Sequence, residues 1–383
     1  MIKRKLFISA AIVLSVAFAG IYPVIHYHKA EKKSIADSTV TVAITSVGDL
    51  MCHIPQIQYA TVKSDSFNFS PVFSFIKKYW QNSNLVIGNL ETVIAGADKK
   101  YSGYPLFNSP SEFVKALKYS GFNLLTTANN HALDRGINGA FNTLEIIRQS
   151  GINYEGTFNS PLDKDSIRIF DLQGIKVAVL AYTYGVNGNY IPKGYNFIIN
   201  LIDSLQIKND IKTSRKEGAE IVLVYFHFGT QYKRQPDTYQ KDIVKKAIQY
   251  GADIILGGHT HVLQPCEYYK TNNAKLDSGF VIYSLGNFIS NQMWRYSDAG
   301  VVLTIKLTKN ITTGSISLTS VGVIPTYVFK GKTKEGNKFY ILPSSQYADT
   351  SYKFLTPFNR DEMKQAFEDS RKILTEYTSK IDF

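Results

Sequence analysis

Five short stretches place residues able to hold a metal ion directly behind β-branched and apolar runs. Gly48-Asp49 follows residues 40–47, Gly88-Asn89-Leu90-Glu91 follows 85–87, and Ala128-Asn129-Asn130-His131 follows 124–127. His227-Phe228-Gly229 follows 221–226, and Gly257-Gly258-His259-Thr260-His261 follows 254–256. Imidazole and carboxylate together suit a divalent ion of intermediate hardness, and two such ions about 3.5–4 Å apart need a bridging carboxylate plus terminal N or O ligands. Asp49 and Glu91 supply carboxylates, Asn130 an amide oxygen, and His227, His259 and His261 imidazoles. Of seven histidines, only His26 and His28 stand away from these stretches, in the N-terminal segment.

Such residues act together only if the chain brings the run ends to one edge. Residues 111–120, 137–150, 202–217 and 238–250 show helical spacing between the apolar runs. Strands alternating with helices, with ligand-type residues at strand ends, put a site at the carboxyl edge of an α/β sheet. Beyond Gly300 the pattern changes to strands at 301–307, 316–324 and 325–329, then a polar loop and a helix over 360–378.

The ordered series Gly48-Asp49-Leu50-Met51, Asn89-Leu90-Glu91, Ala128-Asn129-Asn130-His131-Ala132-Leu133-Asp134-Arg135-Gly136, His227-Phe228-Gly229, His259-Thr260-His261-Val262-Leu263-Gln264 and Tyr283-Ser284-Leu285-Gly286-Asn287-Phe288 resembles the CapA family of poly-γ-glutamate capsule synthesis proteins over about residues 43–292. That family is similar to the calcineurin-like metallophosphoesterases. The resemblance implies a four-layer α/β/β/α sandwich, two divalent metal ions (manganese, iron or zinc), and a part in making, exporting or releasing an anionic capsule polymer. By the same resemblance Asp49 holds one ion, Glu91 bridges, Asn130, His227 and His259 hold the second, and His261 returns to the first. His131 is then the non-ligand acid that donates to a leaving oxygen. Three departures stand out. The wider Asp-x-His pattern meets Met51, with His53 four residues after Asp49 as a substitute ligand; Glu91 replaces a bridging Asp; and Gln231 stands where an acidic residue is usual. Arg135, Lys233, Arg234, Arg295 and Asn287 are candidates to meet an anionic substrate, and the Tyr-, Gly- and Asn-rich residues 182–197 a wall or lid.

The chain carries +12 in 383 residues, and six basic against two acidic residues among the first forty leave +8 for the rest. This excess favours an anionic polymer, a phosphoester or a membrane surface. No basic helix, zinc-finger spacing or aromatic RNP strand points to nucleic acid. After Lys3-Arg4-Lys5, residues 6–25 are uncharged and long enough to cross a bilayer core. Residues 1–28 therefore read as a signal anchor, or as a signal peptide cleaved near Ala17-Phe18-Ala19, with 29–40 as a tether. The positive-inside rule sends residues 41–300, the domain, and the 301–383 extension outside the cytoplasm; cleavage would give a secreted or periplasmic protein. Cys52 and Cys266 read as two unrelated buried thiols or one disulfide. Two function classes follow: a metal-dependent hydrolase, or a non-catalytic polyanion-binding subunit beside a membrane polymer synthase.

Overall fold

Residues 38–64 and 66–383 are described by a computed structural model; the expected anchor and nearly all of the tether lie outside them. The strands are β1 (Thr39–Leu50), β2 (Thr61–Lys63), β3 (Ser66–Phe67), β4 (Leu85–Leu90), β5 (Leu124–Thr126), β6 (Asn153–Glu155), β7 (Arg168–Leu172), β8 (Ile175–Thr183), β9 (Ile221–His227), β10 (Ile254–Gly258), β11 (Cys266–Tyr269), β12 (Gly279–Ile282), β13 (Asn287–Ile289), β14 (Ala299–Asn310), β15 (Ile316–Thr333) and β16 (Gly336–Pro343). The helices are α1 (Ile54–Ala60), α2 (Ser111–Tyr119), α3 (Gly136–Gln149), α4 (Pro161–Asp165), α5 (Ser204–Lys216), α6 (Thr238–Tyr250) and α7 (Pro357–Leu374). Among the described residues no helix is long and apolar enough to cross a membrane.

Two sheets carry the site. The first runs β16-β15-β14-β1-β4-β5-β6, with β13 also on β1, and the second runs β11-β12-β10-β9-β8-β7. Alternation along each strand decides what each face meets. In β9, Ile221, Leu223 and Tyr225 face the core between the sheets together with Ile44, Ile87 and Leu124. Val222, Val224 and Phe226 face the opposite way, onto Ile207 and Ile211 of α5 and Val244 of α6. The outer face of the first sheet, through Val86 and Leu125, packs on Phe113 and Leu117 of α2 and Leu144 of α3. Helix, sheet, sheet and helix therefore stack in that order, which buries both faces of both sheets.

The same alternation aims ligand-type residues inward. His227 shares the parity of residues 221, 223 and 225 and so ends β9 between the sheets. Val47 and Leu50 both pack outward despite being three residues apart, and the register of β1 on β4 slips between Ser46 and Asp49. This irregularity at Gly48 turns Asp49 inward; a Cβ on Gly48 would collide with the Gly286 carbonyl oxygen.

The segment after Gly300 completes the first sheet, because β14 pairs antiparallel with β1 from Val47 back to Thr39. The two strands expected over 316–329 form the single β15. Pro325 sits opposite Val301 just beyond the point where β16 pairing ends at Thr326, so its missing N–H interrupts only the end of that ladder. The last helix begins at Pro357, ahead of the expected residue 360, because Thr356 caps it by accepting from Asn359 N–H. β1 also starts before residue 41 and takes up the end of the expected tether. Both cysteines are free and buried.

Candidate metal centre

Asp49, Glu91, His227, His259 and His261 converge where the carboxyl ends of β1, β4, β9 and β10 meet, and all five are buried. Ligand atoms of Glu91, His227 and His259 lie within 4.8 Å of one another, and so do those of Asp49, Glu91 and His261. Glu91 belongs to both groups. Its Oε1 lies 3.5 Å from His227 Nε2 and 4.0 Å from His261 Nε2. Asn130 joins the first group, its Oδ1 accepting from His227 Nε2 at 2.7 Å.

The two carboxylates have opposite surroundings. Asp49 accepts from Asn89 Nδ2 at 2.8 Å, from the His259 backbone N–H at 3.2 Å and from Tyr225 Oη–H at 3.4 Å, and lies 3.3 Å from His261 Nδ1. Burial pushes its carboxyl upward, but the His261 hydrogen bond and charge, with the Asn89 hydrogen bond, outweigh burial and hold it well below the usual carboxylate range. Glu91 has no such partners. Both its oxygens are buried without a hydrogen bond, as is Nδ1 of His259, and burial together with the Asp49 charge pushes the Glu91 carboxyl well above its ordinary value. A buried carboxylate without partners costs several kcal/mol unless a proton or a cation compensates it. Burial also depresses His227 to about 3 and His259 well below its ordinary value, so both imidazoles are neutral, the form that binds metal. These donors fit a pair of cations sharing Glu91.

The backbone is shaped to the same end. His259 and His261 both adopt positive φ, 87° and 59°, a conformation that non-glycine residues hold only where the surroundings enforce it. A Cβ on Gly258 would collide with the Tyr225 hydroxyl and come 2.8 Å from Asp49 Oδ1, so glycine lets the His259 loop approach Asp49. Asn287 accepts from His261 Nδ1 at 3.1 Å and donates to the Ser297 carbonyl at 2.9 Å, which leaves His261 Nε2 facing Glu91.

His131 stands outside both donor groups. Its Nδ1 pairs with Asp134 Oδ2 at 2.8 Å, that oxygen also accepts from Phe107 N–H at 2.8 Å, and the ring packs edge-on against Phe107. Among the described residues, Nε2 has no hydrogen-bond partner, whereas Nδ1 is held by Asp134. His53 is absent from both donor groups: it precedes α1, its Nδ1 lies 3.2 Å from Gln56 Oε1 and accepts from Asn291 N–H, and Met51 is buried. Gln56 and Asn291 hold its ring at the start of the helix. The arginines are bonded within the fold. Arg135 donates to Leu106 and Phe107 carbonyls, pinning the loop that carries Tyr104. Arg234 donates to the Asp369 carbonyl and stacks on Tyr296, while Arg295 pairs with the Asp369 carboxylate, so both arginines anchor α7. Sequence reasoning missed Asn89, which donates to Asp49 and lies 3.2 Å from His227 Nδ1. It also missed the pairing role of Asp134; both residues lay inside motifs already singled out.

The fold is thus a mixed α/β helix–sheet–sheet–helix sandwich that gathers carboxylates and imidazoles able to hold a metal ion at its strand ends. The chain belongs to the family of bacterial capsule synthesis proteins PGA_cap, which it matches over residues 43–292. It is 31% identical over 271 residues to the capsule biosynthesis protein CapA of Bacillus anthracis, spanning 68% of this chain and 63% of that relative, less than two thirds of its length. It is 28% identical over 331 residues to the PGA biosynthesis protein CapA of Bacillus subtilis strain 168, covering 84% of this chain and 81% of that one. Among solved structures it overlaps the calcineurin-like phosphoesterase YfkN of Bacillus subtilis at 14% identity and a TM-score of 0.43, covering 87% of this chain and 98% of that one.

Proposed function

We propose that this protein is a metal-dependent phosphoester hydrolase that works outside the cytoplasm, held at the membrane by its N-terminal segment, in the assembly, export or release of an anionic bacterial surface polymer. The carrying observation is the buried Glu91 carboxylate, shared by two donor groups and left without a protein partner at either oxygen. Asp49, Glu91 and His261 would hold one divalent ion, and Glu91, His227 and His259 with Asn130 the other. Bound there, manganese, iron or zinc would supply an activated water and charge stabilisation for a phosphoryl group. The chain's own part is positioning and proton transfer. Asn89 fixes Asp49 and His227, and Asn287 fixes His261. Asp134 holds His131 Nδ1–H so that Nε2 can pass a proton to a leaving oxygen.

The test is metal content per chain by elemental analysis after loading, followed by turnover of phosphoesters. Near two ions per chain, with His131→Ala keeping the metal but losing about 10²–10⁴-fold in kcat, supports the reading; undiminished turnover in that variant refutes it. A non-catalytic polyanion-binding subunit is favoured by one observation, the buried Met51 in the place of a ligand. It predicts that the Asp49→Ala, His131→Ala double variant still supports surface polymer, and loss of polymer at normal protein levels rejects it.

A further inference from the structure

Three imidazoles around the centre each stand beside an exposed aromatic ring. Tyr184 lies 4.5 Å from His259, Tyr232 5.8 Å from His261 and Tyr104 6.4 Å from His131, between ring centroids. Trp294 meets Tyr232 at 5.4 Å. These four rings keep 42–73% of their surface in solvent, an apolar cluster of the kind that marks a binding surface. The polar groups between them are amides. The cleft over Asn130 and His131, about 370 Å³, is lined by Asn187, Asn189 and Gln231 and by no Lys, Arg, Asp or Glu. Nδ2 of Asn189 is a buried donor without a partner, and Gln292 donates to the Tyr232 hydroxyl at 3.2 Å. Arg135 and Arg234 donate to backbone carbonyls and Arg295 pairs with the Asp369 carboxylate, while Lys233, next to Tyr232 in the chain, is exposed.

We infer that this mouth recognises a saccharide ring, so that, resting on the hydrolase reading, the substrate is a sugar phosphoester. A sugar offers an apolar C–H face to an aromatic ring, hydroxyls to amides, and no charge. A nucleobase is held best in a parallel aromatic slot, whereas Tyr232 and Trp294 cross at 62°. A polyanion would need several cations along the cleft wall, and the lining over Asn130 and His131 has none.

The chain has two tryptophans; Trp80 is buried with Nε1 bonded to the Ser120 carbonyl, so emission changes on ligand binding report Trp294. Chelator-treated full chain is titrated with a neutral N-acetylhexosamine oligosaccharide, with adenosine and with a γ-glutamyl oligopeptide. The saccharide alone should give a saturable blue shift, absent in Trp294→Phe and displaced at least tenfold to higher concentration in Tyr184→Ala. No shift with the saccharide, or a shift with adenosine or the oligopeptide in its place, overturns the inference. The probe carries no phosphate and the protein no metal, so failure of the hydrolase reading would show separately, in the turnover assay.

Discussion

Neutral isosteres of Asp49 and Glu91 should have different effects on the metal-free protein, although the two carboxylates share one buried cluster. Asp49→Asn removes the charge that His261, Asn89 and the His259 N–H are arranged around. Breaking one side of a buried charged network costs about 3–5 kcal/mol. With about 2.1 cal/mol/K of unfolding entropy per residue, the folded part has about 0.7 kcal/mol/K, so this variant should melt about 4–7 °C lower. Glu91→Gln should stay within about 1.5 °C of the parent, because burial and the Asp49 charge already favour the protonated form of that carboxyl, which an amide mimics. Metal reverses the order. A site filled at a hundred times its Kd adds about 2.7 kcal/mol, about 4 °C here, so two sites add about 8 °C. Glu91→Gln weakens both groups and should lose most of this gain, whereas Asp49→Asn keeps the group at His227 and His259 and should retain about half. Thermal melts with chelator and with graded manganese or zinc measure all four values. If Glu91→Gln melts below Asp49→Asn without metal, or keeps the full gain with it, the assignment of Glu91 as shared ligand is wrong.

Three further outcomes follow from individual contacts. Asp134→Asn should leave metal content unchanged yet lower kcat by roughly 10²-fold, within the range of a general acid, because the amide keeps an acceptor for His131 Nδ1–H but loses the carboxylate charge beside the ring; calorimetry and kinetics on one preparation check both. Asn287→Ala should weaken metal binding by about 10–100-fold, since the group that holds His261 is removed while every ligand remains; a competitive chelator titration reads the loss. Asp298 is buried with Oδ1 unpartnered, and burial, with the charges of Glu362 and Asp369, raises it to about 7. A raised acid binds more protons folded than unfolded, so its contribution is fully present below about pH 4 and is lost as pH rises towards 7. Asp298→Asn should therefore gain stability relative to the parent between pH 5 and pH 8, read from paired denaturant titrations, and an unchanged difference refutes the assignment.

What could be read from sequence was whatever strand parity and loop chemistry decide locally. His227 extends the inward set 221, 223 and 225, and the glycines before His259 announce a tight loop, so both members of the buried cluster were visible before any contact was known. β8 passed unread because it ends in Tyr182-Thr183 and no metal-competent residue drew attention to it. The supporting contacts were hidden for another reason. Asn287 read as a candidate to meet an anionic substrate, and only the parallel pairing of β13 with β1 beside Asp49 makes it the residue that holds His261. The arginines show the limit most clearly. Arg234 follows a site loop and its charge is plain in the sequence, but its guanidinium is claimed by a carbonyl 135 residues further on, at Asp369 in α7. Free charge at a site is a property of the whole fold, because a helix arriving last can take up cations that an earlier loop offers. With Arg135, Arg234 and Arg295 bonded elsewhere, the wall of the cleft over Asn130 and His131 is aromatic and amide in character, whatever the +12 of the chain as a whole.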